Sequence, residues 1–144
     1  MVIKFKKLTE TAVIPKKAHS TDAAFDIVAD SIEYDSNKDC WVYGTGLSSE
    51  FSKDYVAMIF PRSSNTKKDY YLPNSAGIID SCYRGEWLVC FKSRDFTNLR
   101  EPPYKVGDRI AQLIIFKLPC VQLIEGDELS ESDRGEGGFG STGE

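Results

Sequence analysis

The sequence predicts an all-β jelly-roll sandwich, and three observations point there. Short strand-like runs recur along the 144 residues, turn formers separate them, and no helical stripe of about ten residues interrupts the series. IKFKK (3–7) alternates apolar and basic residues, as a half-exposed strand does. AFDIVA (24–29), CWVYG (40–44), YVAMIF (55–60), EWLVCFKS (86–93), DRIAQLIIFKL (108–118) and CVQLI (120–124) are further candidates. Asp35 to Asn37, Gly44 to Gly46, Pro61, Pro73, Gly85, Pro102-Pro103 and Gly107 mark the turns. RSSNTKK (62–68) has room for a short turn of helix at most.

RIAQLIIF (109–116) is the one candidate strand that is apolar on both faces. Strict alternation puts Ile110, Ile114 and Phe116 on one face and Ala111, Leu113 and Ile115 on the other. Such a strand needs cover on both sides, either as the centre of a sandwich or against another subunit.

Composition bounds the function. Hydrophobic residues make up 41% and charged residues 28%, values of an ordinary soluble domain. With a net charge of −4 there is no basic field for polymeric nucleic acid, though a few placed cations can still hold a small phosphate ligand. No apolar run reaches the roughly 20 residues of a membrane span, and no secretory signal opens the chain. Cys40, Cys82, Cys90 and Cys120 form no C-x-x-C pair and His19 is the sole histidine, which argues against zinc. Cys90, inside WLVCF, reads as a buried thiol, and the expected compartment is reducing and intracellular, whether cytoplasmic, nuclear or in a virus-infected cell.

Four segments carry chemistry-bearing residues. In DAAFDI (22–27), Asp26 is enclosed by small and apolar neighbours and needs a partner. A turn amide, an arginine or hydrated Mg²⁺ would each serve, since magnesium keeps most of its waters. In PRSS (61–64), Arg62 follows a strand directly and presents a planar fork suited to phosphate, with Ser63 and Ser64 adding donors; a plain turn with a surface arginine is the bland alternative. NSAGIIDSCYRGEW (74–87) reads as a hairpin bending near Gly77, with Asp80 beside Ile78 and Ile79 and the Tyr83 ring three residues on. Asp80 is either a general base or a turn residue capping its own backbone. The terminal RGEGGFGSTGE (134–144) cannot fold alone, because glycine loses much freedom on ordering and one Phe buries little. It reads either as a disordered tail or as an arm that orders on an anion and a flat ring.

DAAFDI, PRSS, GIIDSCYRGE, GDRIAQLI and RGEGGFGSTG together resemble, in order, the five motifs of the homotrimeric dUTPases (deoxyuridine triphosphate nucleotidohydrolases), spanning residues 22–143. The resemblance implies a β domain over residues 1–125 and a flexible arm over 126–144 that closes on an active site shared between subunits. It implies hydrolysis of dUTP to dUMP and pyrophosphate with Mg²⁺, a reaction that limits uracil incorporation into DNA and supplies dUMP for dTMP synthesis. By that resemblance Asp80 is the general base, Tyr83 packs under the deoxyribose, and Asn74 with the backbone of Gly77, Ile78 and Ile79 reads uracil. Arg62, Ser63, Ser64 and Gln112 bind phosphates, and Asp26 holds the metal through water. Arg134, Ser141 and Thr142 meet the γ-phosphate, while Phe139 and Gly140 cover the base. The chain departs from the family pattern at Ala24 and Ser64, where glycine is frequent, and at Cys82, where an acidic residue is usual. A dCTP deaminase-like enzyme of the same fold, or a dUTPase-like nucleotide-sensing protein, is the alternative.

Overall fold

A computed structural model describes residues 1–94 and 101–138. Ten strands follow in order: β1 (Lys4–Lys7), β2 (Phe25–Val28), β3 (Ser31–Asp35), β4 (Cys40–Gly44), β5 (Leu47–Glu50), β6 (Tyr55–Pro61), β7 (Tyr70–Tyr71), β8 (Gly77–Ile79), β9 (Leu88–Ser93) and β10 (Arg109–Lys117). One 3₁₀ turn, Ser63–Lys67, lies between β6 and β7, within the stretch expected to hold at most a turn of helix. All pairings between named strands are antiparallel. One sheet runs β2-β10-β6-β8, a second runs β3-β4-β9-β7, and β1 pairs with β5.

The two larger sheets close on an aromatic core. Trp87, Tyr43 and Phe91 are fully buried and meet Ile27, Ala57, Ile59 and Leu113 from the opposite sheet. Tyr43 meets Phe91 edge to face with ring centroids 5.7 Å apart, a geometry that adds to plain area burial. Gly46 makes the turn into β5 with φ +64, and a Cβ there would lie 2.7 Å from Asp30 Oδ2 and Thr9 Oγ1. Glycine is needed at that position for conformation and space alike.

The two-sided strand resolves into two environments. A register irregularity between Arg109 and Ala111 breaks the alternation, so Ile110 and Ala111 are both fully buried. The expected grouping of Ile110 with Ile114 and Phe116 is therefore corrected: the bulge turns Ile110 into the core. Leu113 is also buried, whereas Gln112 and Ile114 are half-buried and Phe116 is 43% exposed. Gln112, Ile114 and Phe116 are thus only partly covered by the described residues of one chain.

Two further expectations are corrected. CVQLI forms no strand: β10 ends at Lys117 and the chain continues irregularly, with Val121, Leu123 and Ile124 strongly exposed. A strand needs a neighbour for its ladder, and none lies beside this segment among the described residues. NSAGIIDSCYRGEW forms no hairpin, because β8 pairs with β6 and β9 with β4 and β7 in the other sheet; the expected bend near Gly77 falls at Ser75, whose φ is +59. Ser75 N–H donates to the Leu72 carbonyl at 3.0 Å, closing that bend.

Candidate active site

Two hollows gather the residues singled out above. The first, about 430 Å³, lies between the β7–β8 connection, β8 and β9. Ile59, Leu72, Ile79 and Val89 make it apolar, while Asn74, Asp80 and Tyr83 stand on its wall. β8 is the last strand of its sheet, so one of its edges has β6 and the other has no strand neighbour among the described residues. Gly77, Ile78 and Ile79 line the hollow. A free strand edge beside a flat apolar slot offers N–H and C=O groups to the rim of a heterocycle.

Asp80 stands where β8 ends. Its carbonyl accepts the Tyr83 N–H at 3.0 Å, which makes the turn that carries Tyr83. Its carboxylate is exposed and makes no hydrogen bond to the described residues, so it does not cap its own backbone. Tyr83 donates its hydroxyl to the Glu86 carbonyl at 3.1 Å and lies over Gly85. A Cβ on Gly85 would come within 2.5 Å of Tyr83 Cζ, so glycine is what lets the ring lie there.

The rest of the turn is stapled to the β4–β5 corner. Glu86 Oε1 accepts the Gly46 N–H at 2.7 Å, and Trp87 N–H donates to the Leu47 carbonyl at 2.9 Å. Arg84 Nη1 donates to the carbonyls of Ser81 and Ser49 at 2.7 and 3.2 Å. Arg84 is thus held by backbone oxygens, and the exposed Cys82 leaves this network intact without an acidic side chain.

The second hollow, about 450 Å³, is polar and lies across β2, β10 and the β6 end. The register explains its membership. Gln112 on β10 faces Asp26 on β2 and Phe60 on β6, which brings DAAFDI, GDRIAQLI and PRSS side by side. Arg62 Nε donates to Asp26 Oδ1 at 2.8 Å, and Arg109 Nη1 donates to Asp26 Oδ2 at 3.0 Å. Of the partners open to Asp26, arginine is the one present, twice. Gln112 Nε2 donates one hydrogen to the Pro61 carbonyl at 2.9 Å, leaving its second for a ligand. Ser63 lines the hollow and Ser64 does not. Arg109 was missed by the sequence reading; its signal was its place in GDRIAQLI beside Gln112.

No group of three or more His, Cys, Asp or Glu able to cage a metal occurs among the described residues. Asp26 can still receive metal-bound water, because each carboxylate oxygen keeps a lone-pair site after accepting from one arginine. The donor set therefore fits a hydrated magnesium that arrives on phosphate and not a resident bare ion.

Asp80 and Arg62 line different hollows with no lining residue in common. One chain builds an apolar slot with a carboxylate on its wall and, separately, a hollow in which Arg62 and Arg109 face Asp22 and Asp26. Arg134 joins neither: its Nε donates to the nearby Gly137 carbonyl at 2.8 Å. Phe139, Gly140, Ser141 and Thr142 lie outside the described residues.

A family model for dUTPase matches residues 10–143. The chain belongs to the dUTPase family. Among similar proteins, the deoxyuridine 5'-triphosphate nucleotidohydrolase of Crocosphaera subtropica is 40% identical over 99% of this chain and 99% of its own length. That of Arabidopsis thaliana is 38% identical over 97% of this chain and 82% of its own. Among solved structures, the Staphylococcus bacteriophage 80alpha dUTPase with dUpNHpp matches with a TM-score of 0.81 and 25% identity, covering 99% of this chain and 98% of that one. The dUTPase of phage phi11, described with a structural Mg(II) ion, shares the fold at a TM-score of 0.72 and 20% identity. The match confirms the all-β jelly-roll expectation and the family resemblance drawn from the five motifs.

Proposed function

We propose that this chain hydrolyses dUTP to dUMP and pyrophosphate in sites shared between subunits of a homotrimer. The observation that carries the shared site is the separation of Asp80 from Arg62 into two hollows of one chain. Joining them takes a second copy. The partly covered Gln112, Ile114 and Phe116 face and the exposed apolar residues after β10 are surfaces such a copy would bury.

In this reading the β8 edge and Asn74 bind uracil and Tyr83 packs under the sugar. Arg62, Ser63, Gln112 and the Ser64 backbone of a neighbouring subunit grip the phosphates. Asp80 orients a water for in-line attack on the α-phosphorus and takes its proton. Asp26 would hold a hydrated magnesium through its water, and the ion when bound would supply charge neutralisation on the phosphate oxygens. Arm residues 126–144, through Arg134, Phe139, Gly140, Ser141 and Thr142, close the site against bulk water.

The deaminase alternative requires a free glutamate at the base. Glu86 lines the base slot, but its carboxylate is committed to the Gly46 amide. The deciding experiment is pyrophosphate release from dUTP, dCTP, dTTP and UTP, with and without Mg²⁺. Turnover confined to dUTP is expected, and Asp80→Asn is expected to lower kcat by about 10²-fold or more while dUpNHpp still binds. Ammonia released from dCTP, or an Asp80→Asn protein with full turnover, refutes the assignment.

A further inference from the structure

Glu86 lines the apolar slot, yet its carboxylate serves the protein's own backbone, with Oε1 accepting the Gly46 N–H at 2.7 Å. The corner that gives this N–H is fixed from its other side. The Gly46 carbonyl accepts the Leu8 N–H at 2.7 Å. Asp30 Oδ2 and Thr9 Oγ1, hydrogen-bonded to each other at 2.7 Å, fill the space where a Gly46 Cβ would stand. A second glycine makes room for the carboxylate, since a Cβ on Gly44 would lie 2.6 Å from Glu86 Oε1. The two glycines that flank the fully buried Thr45 thus form a notch that takes one carboxylate oxygen.

The same residue holds the far end of the Tyr83 ring. Tyr83 is tied through its N–H to the Asp80 carbonyl at 3.0 Å and through its hydroxyl to the Glu86 carbonyl at 3.1 Å. The Glu86 carbonyl shares a peptide plane with the Trp87 N–H, which donates to the Leu47 carbonyl at 2.9 Å. That one bond lets the plane swing about its N–H···O line. On the Trp87 side the chain is held further, because the Trp87 carbonyl accepts the Thr45 N–H at 3.2 Å and the Thr45 hydroxyl at 2.9 Å. On the other side stands Gly85, which has no side chain with which to hold anything. The Glu86 carboxylate is the one side-chain tether there, and its bond to an N–H is of the strong, charge-assisted kind.

We propose that Glu86 is a positioning residue for sugar selectivity: its carboxylate, stapled to Gly46, fixes the carbonyl that aims the Tyr83 ring. The position of that ring sets the room left for a substituent at the 2′ carbon, so a ring that swings admits a hydroxyl there. Glu86 acts through Tyr83 and not on the nucleotide itself. The inference rests on the reading of Tyr83 as the ring under the sugar and adds to it the group that holds the ring in place.

Pyrophosphate release from dUTP and from UTP, at steady state with Mg²⁺, tests this on wild type, Glu86→Gln, Glu86→Ala, Tyr83→Phe, Tyr83→Ala and the Glu86→Ala/Tyr83→Phe double variant. The readout is the ratio of the kcat/KM values for the two nucleotides. Glu86→Ala and Tyr83→Phe are each expected to narrow it about fivefold, the order of one lost hydrogen bond, and the double variant no further than the larger single effect. Glu86→Gln keeps an oxygen that accepts the Gly46 N–H, so it should retain the wild-type ratio. A Glu86→Ala protein whose kcat/KM falls equally for both nucleotides, or for neither, overturns the proposal. Should Glu86→Ala fold poorly, Tyr83→Phe cuts the same tether at its other end, and an unchanged ratio there overturns the proposal as well. Tyr83→Ala separates the two ways of failing. A wild-type ratio in that variant refutes the placing of the ring under the sugar, and the proposal falls with it. A collapsed ratio in Tyr83→Ala beside a wild-type ratio in Glu86→Ala refutes the proposal alone.

Discussion

Asp26→Asn isolates the carboxylate that holds the two arginines of the second hollow. The substitution keeps the size of the side chain and one carbonyl acceptor. It removes the anion that Arg62 and Arg109 share at 2.8 and 3.0 Å. At an effective dielectric near 20, one pair with charge centres about 4 Å apart has about 4 kcal/mol of gross attraction. Desolvation of a carboxylate only 18% exposed offsets much of this. The Arg109 pair adds under about 1 kcal/mol, because the arginine side chain is 53% exposed. The expected net loss is about 1–3 kcal/mol, part of it from two guanidinium groups left together without an anion between them. Urea unfolding followed by tryptophan fluorescence, at one fixed protein concentration, measures it. Pyrophosphate supplies a replacement anion, so it should stabilise the variant more than the wild type. A loss below about 0.5 kcal/mol, or an identical pyrophosphate effect on both proteins, refutes the claim that Asp26 is the electrostatic keystone of the hollow.

Three further predictions follow from the geometry. Gly85→Ala drives a methyl into the Tyr83 ring, which must shift by about 1 Å; kcat/KM for dUTP should fall up to about 10²-fold and the preference for dUTP over UTP should narrow, as steady-state kinetics with both substrates would reveal. Deletion of residues 134–144 should leave the circular dichroism spectrum and melting temperature unchanged and abolish efficient turnover, whereas a lowered melting temperature would make the segment structural. At the β3–β4 turn, Lys38 and two backbone amides hold the Asp35 carboxyl below the usual carboxylate range. A depressed folded value means stabilisation present above the unfolded value and lost as pH falls through the folded one. The gap in melting temperature between wild type and Asp35→Asn should therefore be constant near neutrality and shrink in acid below about pH 4.

Much of the fold could be read from the residues, and the gaps have physical causes. Long alternating or doubly apolar runs such as Tyr55–Pro61 and Arg109–Lys117 announce themselves, because burial of one or both faces writes a period into the sequence. Leu47–Glu50 does not: LSSE shows no apolar alternation, yet it pairs with β1, and Ser48 and Ser49 are buried. Tyr70–Tyr71 and Gly77–Ile79 are too short to show a period. The bend at Ser75 escaped notice because a serine in the left-handed region gives no glycine signal. At the site, the residue types in DAAFDI and PRSS pointed to anion chemistry. The choice of arginine as the Asp26 partner was invisible until the β2–β10 register set Gln112 against Asp26.

The outer edge of β8 has a consequence for how this protein can change over generations. Recognition written in amide and carbonyl groups is common to almost every amino acid, so replacements at Ile78 or Ile79 leave the lettering of that edge as it was. Drift can loosen the slot or move the strand, but it has few routes to a new base preference. The same bare edge is a place where a stray chain could add itself, so an occupying nucleotide should slow clumping of the pure protein even when no bond is being broken.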